Sequence, residues 1–230
     1  MPVYRIPRQL VFPDPELAEP SGLLGVEGDL QPARLILAYR SGIFPWYSHE
    51  QPILWFSPDP RMVFEPSGVH VGRSLRKRLR RDDYQVTMDT AFARVIHACA
   101  EVPRDDQGGT WITGDMERAY TELHELGYAH SVEVWRENEL VGGLYGVSIG
   151  GMFAGESMFS TATDASKVGF VRFAAQLQRW CFTLIDAQLH SDHLARLGGY
   201  EIPRHRYLER LAQALEAPTR PGPWRFDAGC

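Results

Sequence analysis

The chain of 230 residues contains no apolar run near the roughly 18 residues that a membrane-spanning helix needs, and it has few cysteines. Its opening residues, Met-Pro-Val-Tyr-Arg-Ile-Pro-Arg, lack the apolar core of a secretory signal. Cys99, Cys181 and Cys230 are far apart and odd in number, which fits a reducing compartment better than a disulfide framework. We therefore expect a cytoplasmic protein without a membrane segment. We also expect Cys181, at the end of an apolar helix, to be a core residue and not a nucleophile.

A net charge of −5 argues against a protein that binds polyanions over its whole surface. The basic residues are nevertheless concentrated in one stretch, which contains Arg73, Arg76, Lys77, Arg78, Arg80 and Arg81. This stretch is predicted to be helical, with Leu75 and Leu79 anchoring one side. A solvated charged surface is the simpler interpretation of such a run, and a patch that attracts phosphates is the alternative.

The stretch from Leu140 to Ser160 is the most informative part of the chain. Two alternating apolar runs meet at Gly150-Gly151, a pattern that predicts a β-hairpin. Glycines inside the two strands often mark a bulge or a place where a ligand comes close. Glu156 lies there among small and apolar neighbours, where a carboxylate needs a partner. These features predict a functional cleft that holds a cationic or hydrogen-bonding group.

The remaining pattern predicts an α+β architecture, in which helices pack on a mixed sheet. Residues 1 to about 30 are rich in proline, glycine and acidic residues and are predicted to be extended or irregular. Helices are predicted over 31–41, 72–81, 90–100, 113–126, 164–180 and 203–215, strands over 61–64, 84–88, 131–135 and 182–187, and a polar loop over 101–109. Asp89 or Thr90 is expected to cap the third helix and Thr113 the fourth. The breaker at 57–60 predicts a small N-terminal domain, 1–59, and a larger domain, 60–230.

Several ordered segments resemble one known family. They are Gly42-Ile-Phe-Pro-Trp46, Leu54-Trp-Phe-Ser-Pro-Asp-Pro-Arg61, Thr110-Trp-Ile-Thr113, His124-Glu-Leu-Gly127, Ser131-Val-Glu-Val-Trp135 and, most specific, Gly155-Glu-Ser-Met-Phe-Ser160, Ala165-Ser-Lys167 and Leu184-Ile-Asp-Ala-Gln188. So many blocks in one order are more specific than any single short motif. On these blocks the chain resembles the leucyl/phenylalanyl-tRNA–protein transferases.

The resemblance implies a small N-terminal domain packed on a C-terminal domain of the acetyltransferase-like (GNAT-like) superfamily. It implies transfer of Leu, Phe or sometimes Met from an aminoacyl-tRNA to a protein whose N-terminal residue is Arg or Lys. Such a transfer tags the acceptor for N-end-rule degradation in the bacterial cytoplasm. An aminoacyl ester is already activated, so we expect no cofactor and no metal. The expected partners are aminoacyl-tRNA and acceptor proteins, with no membrane, and we expect a monomer.

Asp186 and Gln188 match the catalytic pair of that family and end an apolar strand. Because they are two residues apart, they are expected to project to the same side. We hypothesise that Asp186 orients Gln188 and offsets positive charge at the attacking nitrogen, and that the carbonyl oxygen of Gln188 hydrogen-bonds that amine. A side-chain amide is a very weak base, so the ribose hydroxyl or water is left to carry the proton. The simpler alternative is a polar strand end that caps a loop.

Glu156 has two interpretations. As a catalytic-site residue it binds the N-terminal amine or the cationic side chain of the acceptor. As a structural residue it pairs with Lys167 or an arginine. The glycine-rich strand around it favours the first interpretation.

Further site residues follow from the resemblance. The apolar pocket for the donor amino acid is expected to contain Leu144, Phe153, Gly155, Met158, Ser160, Phe173, Leu177 and Ile185. Plain core is the alternative for these, above all for Phe173 and Leu177. Trp46 and Trp111 match aromatic residues around the terminal adenosine, with packing as the alternative for Trp46. The tRNA body is expected to contact Arg73, Arg76, Lys77 and Arg80.

Other functions stay open at this point. An acyl-coenzyme A-dependent transferase would need a glycine-rich loop that opens a helix, which residues 164–167 lack. A tRNA-binding protein without catalysis would keep Trp46, Trp111 and the basic helix. A third alternative is an aminoacyl-tRNA-dependent transferase that acts on cell-wall precursors. His190 and His193 have metal-ligand spacing, but no cysteine or carboxylate cluster completes a set of ligands.

Overall fold

A computed structural model describes residues 3–102 and 111–228. The strands of these residues form two β-sheets, one in the N-terminal part of the chain and one in the rest. The polar loop predicted over 101–109 lies, from residue 103 onwards, outside this range. Within the described ranges, no helix combines the length and the apolar composition that crossing a bilayer requires.

The N-terminal part forms a sheet of four short strands in the order β1-β2-β4-β3. They are β1 (Tyr4–Arg5), β2 (Leu23–Val26), β3 (Phe44–Pro45) and β4 (Leu54–Phe56), and helix α1 (Pro32–Arg40) lies between β2 and β3. Strands β1 and β2 lie in the segment predicted to be extended or irregular, so the sequence did not distinguish them from loop. Strands this short carry little periodicity, and they form because β2 pairs with both β1 and β4.

The larger part forms a sheet of seven strands in the order β11-β5-β10-β9-β8-β7-β6. The strands are β5 (Arg61–Phe64), β6 (Gln85–Met88), β7 (Ala129–Arg136), β8 (Glu139–Ile149), β9 (Met152–Ser160), β10 (Leu184–Gln188) and β11 (Tyr200–Ile202). The helices are α2 (Arg73–Leu79), α3 (Phe92–Glu101), α4 (Gly114–Glu125), α5 (Ala165–Arg179), α6 (Asp192–Arg196) and α7 (Arg204–Ala214). Strands β9 and β10 are parallel and their neighbours pair antiparallel, which confirms the α+β class with a mixed sheet.

The predicted hairpin is confirmed, and its glycines serve packing as well as the site. Strands β8 and β9 join at Gly150-Gly151. A Cβ atom at Gly142 would lie 2.8 Å from the Cβ of Ala165 at the start of α5. The glycine therefore lets helix α5 lie directly on β8, which is a close approach of backbone and not of a ligand.

The two predicted helix caps have different outcomes. The Thr113 hydroxyl accepts the backbone N–H of Met116 at 3.3 Å, so Thr113 caps α4 as predicted. Helix α3 begins at Phe92 without a side-chain cap, so the prediction for Asp89 or Thr90 is wrong. Both side chains contact β7 instead. Asp89 accepts the Ser131 N–H at 3.0 Å, and the Thr90 hydroxyl donates to the Glu133 carboxylate.

One apolar core runs through both parts of the chain. Leu35 and Trp55 of the N-terminal part are fully buried in the same cluster as Tyr120 and Tyr145 of the larger part. The boundary predicted at residues 59 and 60 falls in the link between β4 and β5, which belong to different sheets. As a division into domains this boundary stays a prediction.

Candidate active site

A cavity of about 200 Å³ opens where the parallel strands β9 and β10 lie side by side. Its apolar lining residues are Phe64, Leu144, Phe153, Gly155, Met158, Phe170, Ile185, Ala187 and Leu194. Its polar lining residues are Tyr145, Glu156, Ser157, Asp186, Gln188, Ser191 and His193. An apolar cavity with a few convergent polar groups is the usual form of a small-molecule site.

Two β-bulges bring the polar groups into this cavity. On β9, Gly155 pairs with Gly146 and Ser157 with Tyr145, so that Glu156 is the extra residue between them. On β10 the register shifts between Asp186 and Gln188, and Gln188 has φ 61°. Bulges redirect side chains, and here they point two residues of neighbouring strands at each other. The register shift between Asp186 and Gln188 breaks the regular alternation on which their predicted common side was based, although both residues line the cavity.

The Glu156 carboxylate is held by neutral donors. Its Oε1 accepts a hydrogen bond from the Gln188 side-chain amide at 2.7 Å, and its Oε2 accepts the Tyr120 hydroxyl at 3.1 Å. Burial raises the pKa of Glu156 to about 7, although hydrogen bonds to its oxygens oppose the shift. The alternative of a structural pair with Lys167 or an arginine is wrong, because Lys167 pairs with Asp164 at 2.7 Å. Glu156 can thus change charge near neutral pH.

The Tyr120 hydroxyl extends this network into the N-terminal part. It is hydrogen-bonded to the hydroxyl of Tyr39, which lies on α1. Burial, and then the charge of Glu156, raise the pKa of both tyrosines well above the usual range, so both stay neutral. The hydroxyls therefore connect α1 to the carboxylate of the cavity.

Asp186 is fully buried in an ion pair with Arg61. Its Oδ1 accepts Arg61 Nε at 2.8 Å and the backbone N–H of Gln188 at 2.9 Å, and its Oδ2 accepts Arg61 Nη2 at 2.7 Å and the Tyr207 hydroxyl at 2.8 Å. Burial works against the charge of Arg61, but Asp186 and Tyr207 outweigh it and raise the pKa of the guanidinium. The Arg61 guanidinium also lies over two aromatic rings, with its Cζ 4.9 Å from the ring centroid of Phe44 and 4.4 Å from that of Tyr207.

Because both Asp186 oxygens already accept two hydrogen bonds each, the carboxylate has no position left for an attacking amine. The hypothesis that Asp186 offsets charge at that nitrogen therefore needs revision. Its contact with the backbone of Gln188 supports the other half of the hypothesis, that Asp186 orients Gln188. In this arrangement Asp186 holds the backbone of Gln188 in the bulge.

A second cavity, of about 320 Å³, is lined by Trp46, Tyr47, Ser48, Gln51, Leu54, Phe56 and Trp111. Its aromatic lining suits a flat ring, and Trp46 contacts Phe56 edge-on at 5.4 Å. Trp111 does not line the first cavity. Glu156 and Asp186 thus line the first cavity, whereas Trp46 and Trp111 line the second.

Comparisons with known proteins agree on one family. A sequence model of the leucyl/phenylalanyl-tRNA protein transferases matches residues 63–212, and a model of their N-terminal domain matches residues 28–59. The leucyl/phenylalanyl-tRNA–protein transferase of an Anaeromyxobacter species is 56% identical over 100% of this chain and 97% of its own. That of Myxococcus xanthus is 57% identical over 97% of each chain. This chain belongs to the leucyl/phenylalanyl-tRNA–protein transferase family. The prediction of a transferase enzyme of this family is confirmed.

Solved structures give a weaker comparison. A GCN5-related N-acetyltransferase from Kribbella flavida matches with a TM-score of 0.39 and 11% identity, over 74% of this chain and 59% of that one. Such a score is too low to establish a shared fold. The fold assignment rests instead on the strand order and the helices described above.

The residues that the family resemblance assigned to the donor pocket fall into two groups. Leu144, Phe153, Gly155, Met158 and Ile185 line the first cavity. Ser160, Phe173 and Leu177 do not. Phe173 packs edge-on against Phe153 at 4.7 Å, Leu177 is fully buried in the core, and the exposed Ser160 bonds the backbone near the start of α5.

The basic helix α2 presents the predicted cations to solvent. Leu75 is buried and Leu79 is half-buried, whereas Arg73, Arg76, Lys77 and Arg80 are exposed. Arg78 turns inward, with its guanidinium 4.3 Å from the ring of Tyr84 and paired with Asp83. The tRNA-binding residues predicted from the sequence thus share one accessible surface.

Two further sequence predictions concern single residues. Cys181 is exposed in the turn after α5, so its prediction as a core residue is wrong. The helix predicted over 164–180 is one residue too long at each end, and Cys181 has φ 60° just after α5 ends. His190 pairs with Asp192 and Glu201, and among the described residues no group of three His, Cys, Asp or Glu side chains converges as metal ligands.

Arg61, Tyr39 and Tyr120 belong to the hydrogen-bond network of the two carboxylates, and the sequence pattern did not single them out. Arg61 lies 125 positions before its partner Asp186, and the tyrosines are 81 apart. Only Arg61 carried a signal, because it ends one of the family blocks. The tyrosines lie in ordinary amphipathic helices, where an aromatic residue predicts only packing.

Proposed function

We propose that this protein transfers Leu or Phe, and Met to a lesser extent, from aminoacyl-tRNA to proteins that begin with Arg or Lys, tagging them for N-end-rule degradation. Family membership supports this reaction class over an acyl-coenzyme A transferase. The observation that carries the proposal is the first cavity, in which apolar side chains and the hydrogen-bonded pair Glu156–Gln188 line the same space. Since aminoacyl-tRNA is made and used in the cytoplasm, the reaction belongs to that compartment.

The donor amino acid occupies the apolar part of the cavity. Met158 is unbranched and flexible enough to adapt to side chains of different shape. An apolar pocket separates Leu from its near homologues by only about 1–3 kcal/mol, which accounts for use of more than one donor. The terminal adenosine stacks in the second cavity on Trp46 or Trp111, a contact worth roughly 1–3 kcal/mol that requires no base readout.

The acceptor amine lies beside Gln188. Because the Gln188 amide nitrogen is committed to Glu156, its carbonyl oxygen is left to accept a hydrogen bond from the amine. Asp186 holds the Gln188 backbone in the bulge, and ionised Glu156 supplies negative charge for the cationic acceptor.

The reaction then needs little more than alignment. The neutral amine attacks the ester carbonyl, the C–N bond forms, the bond from carbonyl carbon to ribose oxygen breaks, and the amine proton ends on that oxygen. Holding two reactants in contact supplies several kcal/mol of barrier lowering, about 7 or more in the best cases. No activation by a nucleotide is required, because the ester is already activated.

The deciding experiment incubates the protein with labelled Leu-tRNA or Phe-tRNA and peptides that differ only in their first residue. We expect label on peptides that begin with Arg or Lys, little on those that begin with Ala or Glu, and none after ribonuclease treatment of the donor. Transfer that ignores the first residue, or that survives ribonuclease, would reject the proposed function.

A further inference from the structure

The C-terminal segment, residues 215–228, returns to the large sheet after α7 and lies beyond the residues that the family model matches. It is tied at several points. The backbone N–H of Trp224 donates to the Asp89 carboxylate. Asp227 and Gln176 exchange two hydrogen bonds, from the Gln176 amide at 2.7 Å and from the Asp227 N–H at 3.0 Å. The segment is therefore a fixed part of the fold.

Trp224 fills a space enclosed by other rings. Only 2% of it is exposed. It stacks on His130 with ring centroids 3.5 Å apart and an interplanar angle of 4°. The other rings around it are Phe153, Phe173, Trp180 and Phe182, at centroid distances of 5.2–6.3 Å. So large a side chain cannot be shortened without leaving room for its neighbours to move.

Phe153 connects this cluster to the first cavity. It lines the cavity, whereas Trp224 and Phe173 do not. A Cβ atom at Gly146 would lie 2.5 Å from Phe153 Cζ, so backbone of β8 blocks the ring on that side. Phe173 and Trp224 pack against other parts of the Phe153 ring. The position of this cavity wall thus depends on the C-terminal segment.

We infer that Trp224 is a specificity-determining positioning residue, which fixes the size of the donor pocket by holding Phe153 and Phe173 in place. This inference rests on the proposed function, because it takes the first cavity as the donor pocket. In a close-packed interior with few voids, a change in the volume of one side chain shifts the side chains that pack against it. A smaller residue at this position lets the wall retreat, and the pocket then accepts a bulky donor more readily than a small one.

The test uses Trp224→Leu and the milder Trp224→Phe. Leu-tRNA and Phe-tRNA with different labels compete in one reaction for a peptide that begins with Arg. The product ratio then gives the ratio of the two kcat/KM values whatever fraction of the enzyme is folded. We expect the Phe-to-Leu ratio to rise at least about threefold in Trp224→Leu and less in Trp224→Phe.

Leu35→Ala is the control for loss of packing. Leu35 is fully buried in α1, belongs to a different apolar cluster from Trp224 and lines neither of the two cavities. We expect a lower melting temperature with an unchanged donor ratio. A ratio in Trp224→Leu that stays within the scatter of this control, with the same loss of stability, would show a merely structural role and overturn the inference.

Gly155→Ala tests, independently of Trp224, whether the first cavity is the donor pocket. A Cβ atom there would lie 3.8 Å from its nearest neighbour, an ordinary contact, so the variant folds and narrows the cavity directly. We expect transfer of Phe to fall more than transfer of Leu. An unchanged ratio in Gly155→Ala would reject the cavity as the donor pocket, and with it the inference, whereas the absence of any transfer by the wild type would reject the proposed function. A changed ratio here with none in Trp224→Leu would reject the inference alone.

Discussion

At the scale of single residues, the proposed chemistry depends on the shared environment of Glu156 and Gln188. Glu156 sits in the bulge of β9 with neutral hydrogen-bond donors and no cationic partner among the described residues. Such a carboxylate is poised to meet a cation that arrives with the substrate. Asp186, by contrast, is already neutralised by Arg61.

Glu156→Gln should mimic the protonated residue at every pH. With the acceptor amine no longer facing a charge, we expect kcat/KM for Arg-ended peptides to fall at least about tenfold at pH 8. Because the pKa of Glu156 is about 7, the advantage of the wild type over the variant should shrink as the pH falls below that value. The measurement is kcat/KM between pH 5.5 and 8.5, and an advantage that does not vary with pH would contradict it.

The same substitution has a consequence for stability whose sign follows from linkage. The folded-state pKa of Glu156 is raised from 4.5 to about 7, so its protonated form stabilises the fold at low pH, and this contribution is lost as the pH rises through about 7. Glu156→Gln loses nothing in that range. We expect the variant to gain on the wild type by on the order of 1–3 kcal/mol between pH 5 and 8, measured by urea unfolding.

Asp186→Ala should act mainly through the fold. It leaves the fully buried Arg61 guanidinium without a counter-ion, which costs about 3–5 kcal/mol in comparable cases. The double variant Arg61→Met, Asp186→Leu removes both charges and should be less destabilised than Asp186→Ala alone. Equilibrium urea unfolding measures both. If Asp186→Ala kept full stability but lost activity, this prediction would be contradicted, and Asp186 would have a direct role in the reaction.

At the scale of elements, helix α2 directs most of its basic side chains to solvent and one of them against the protein. Arg76 and Arg80 face solvent, whereas Arg78 lies against Tyr84. Reversing Arg76 and Arg80 to Glu should weaken binding of full-length tRNA and reduce its salt slope by about two, while a short 3′-end analogue is affected far less. Filter binding across a salt series measures both effects. Arg206→Glu, an exposed arginine on α7, is the control and should leave the slope unchanged.

At the scale of the whole molecule, the two sheets are expected to unfold together. The Tyr39–Tyr120 hydrogen bond and the stacking of Phe44 on Arg61 join the N-terminal part to the larger one, across a common apolar core. Calorimetry should therefore record a single transition. Leu35→Ala in α1 should lower the stability of the entire chain by about 2–5 kcal/mol without splitting that transition. Two resolved transitions would contradict the shared core.

The sequence by itself determined the long elements and the family. The β8–β9 hairpin and α5 follow from periodicity, and α4 follows from periodicity and its Thr113 cap, all of which are local signals. The family blocks pointed to Glu156, Asp186 and Gln188 as a set. The short strands β1, β2 and β11 escaped prediction, since their stability comes from partners far along the chain.

Only the tertiary structure decided the roles within the site. Which carboxylate is neutralised depends on Arg61 reaching Asp186 from another strand, and which one titrates near pH 7 depends on burial against Tyr120. The bulges that aim Glu156 and Gln188 at each other depend on the register between neighbouring strands. Charge partners, burial and register are properties of contacts between distant residues, so no local pattern in the chain encodes them.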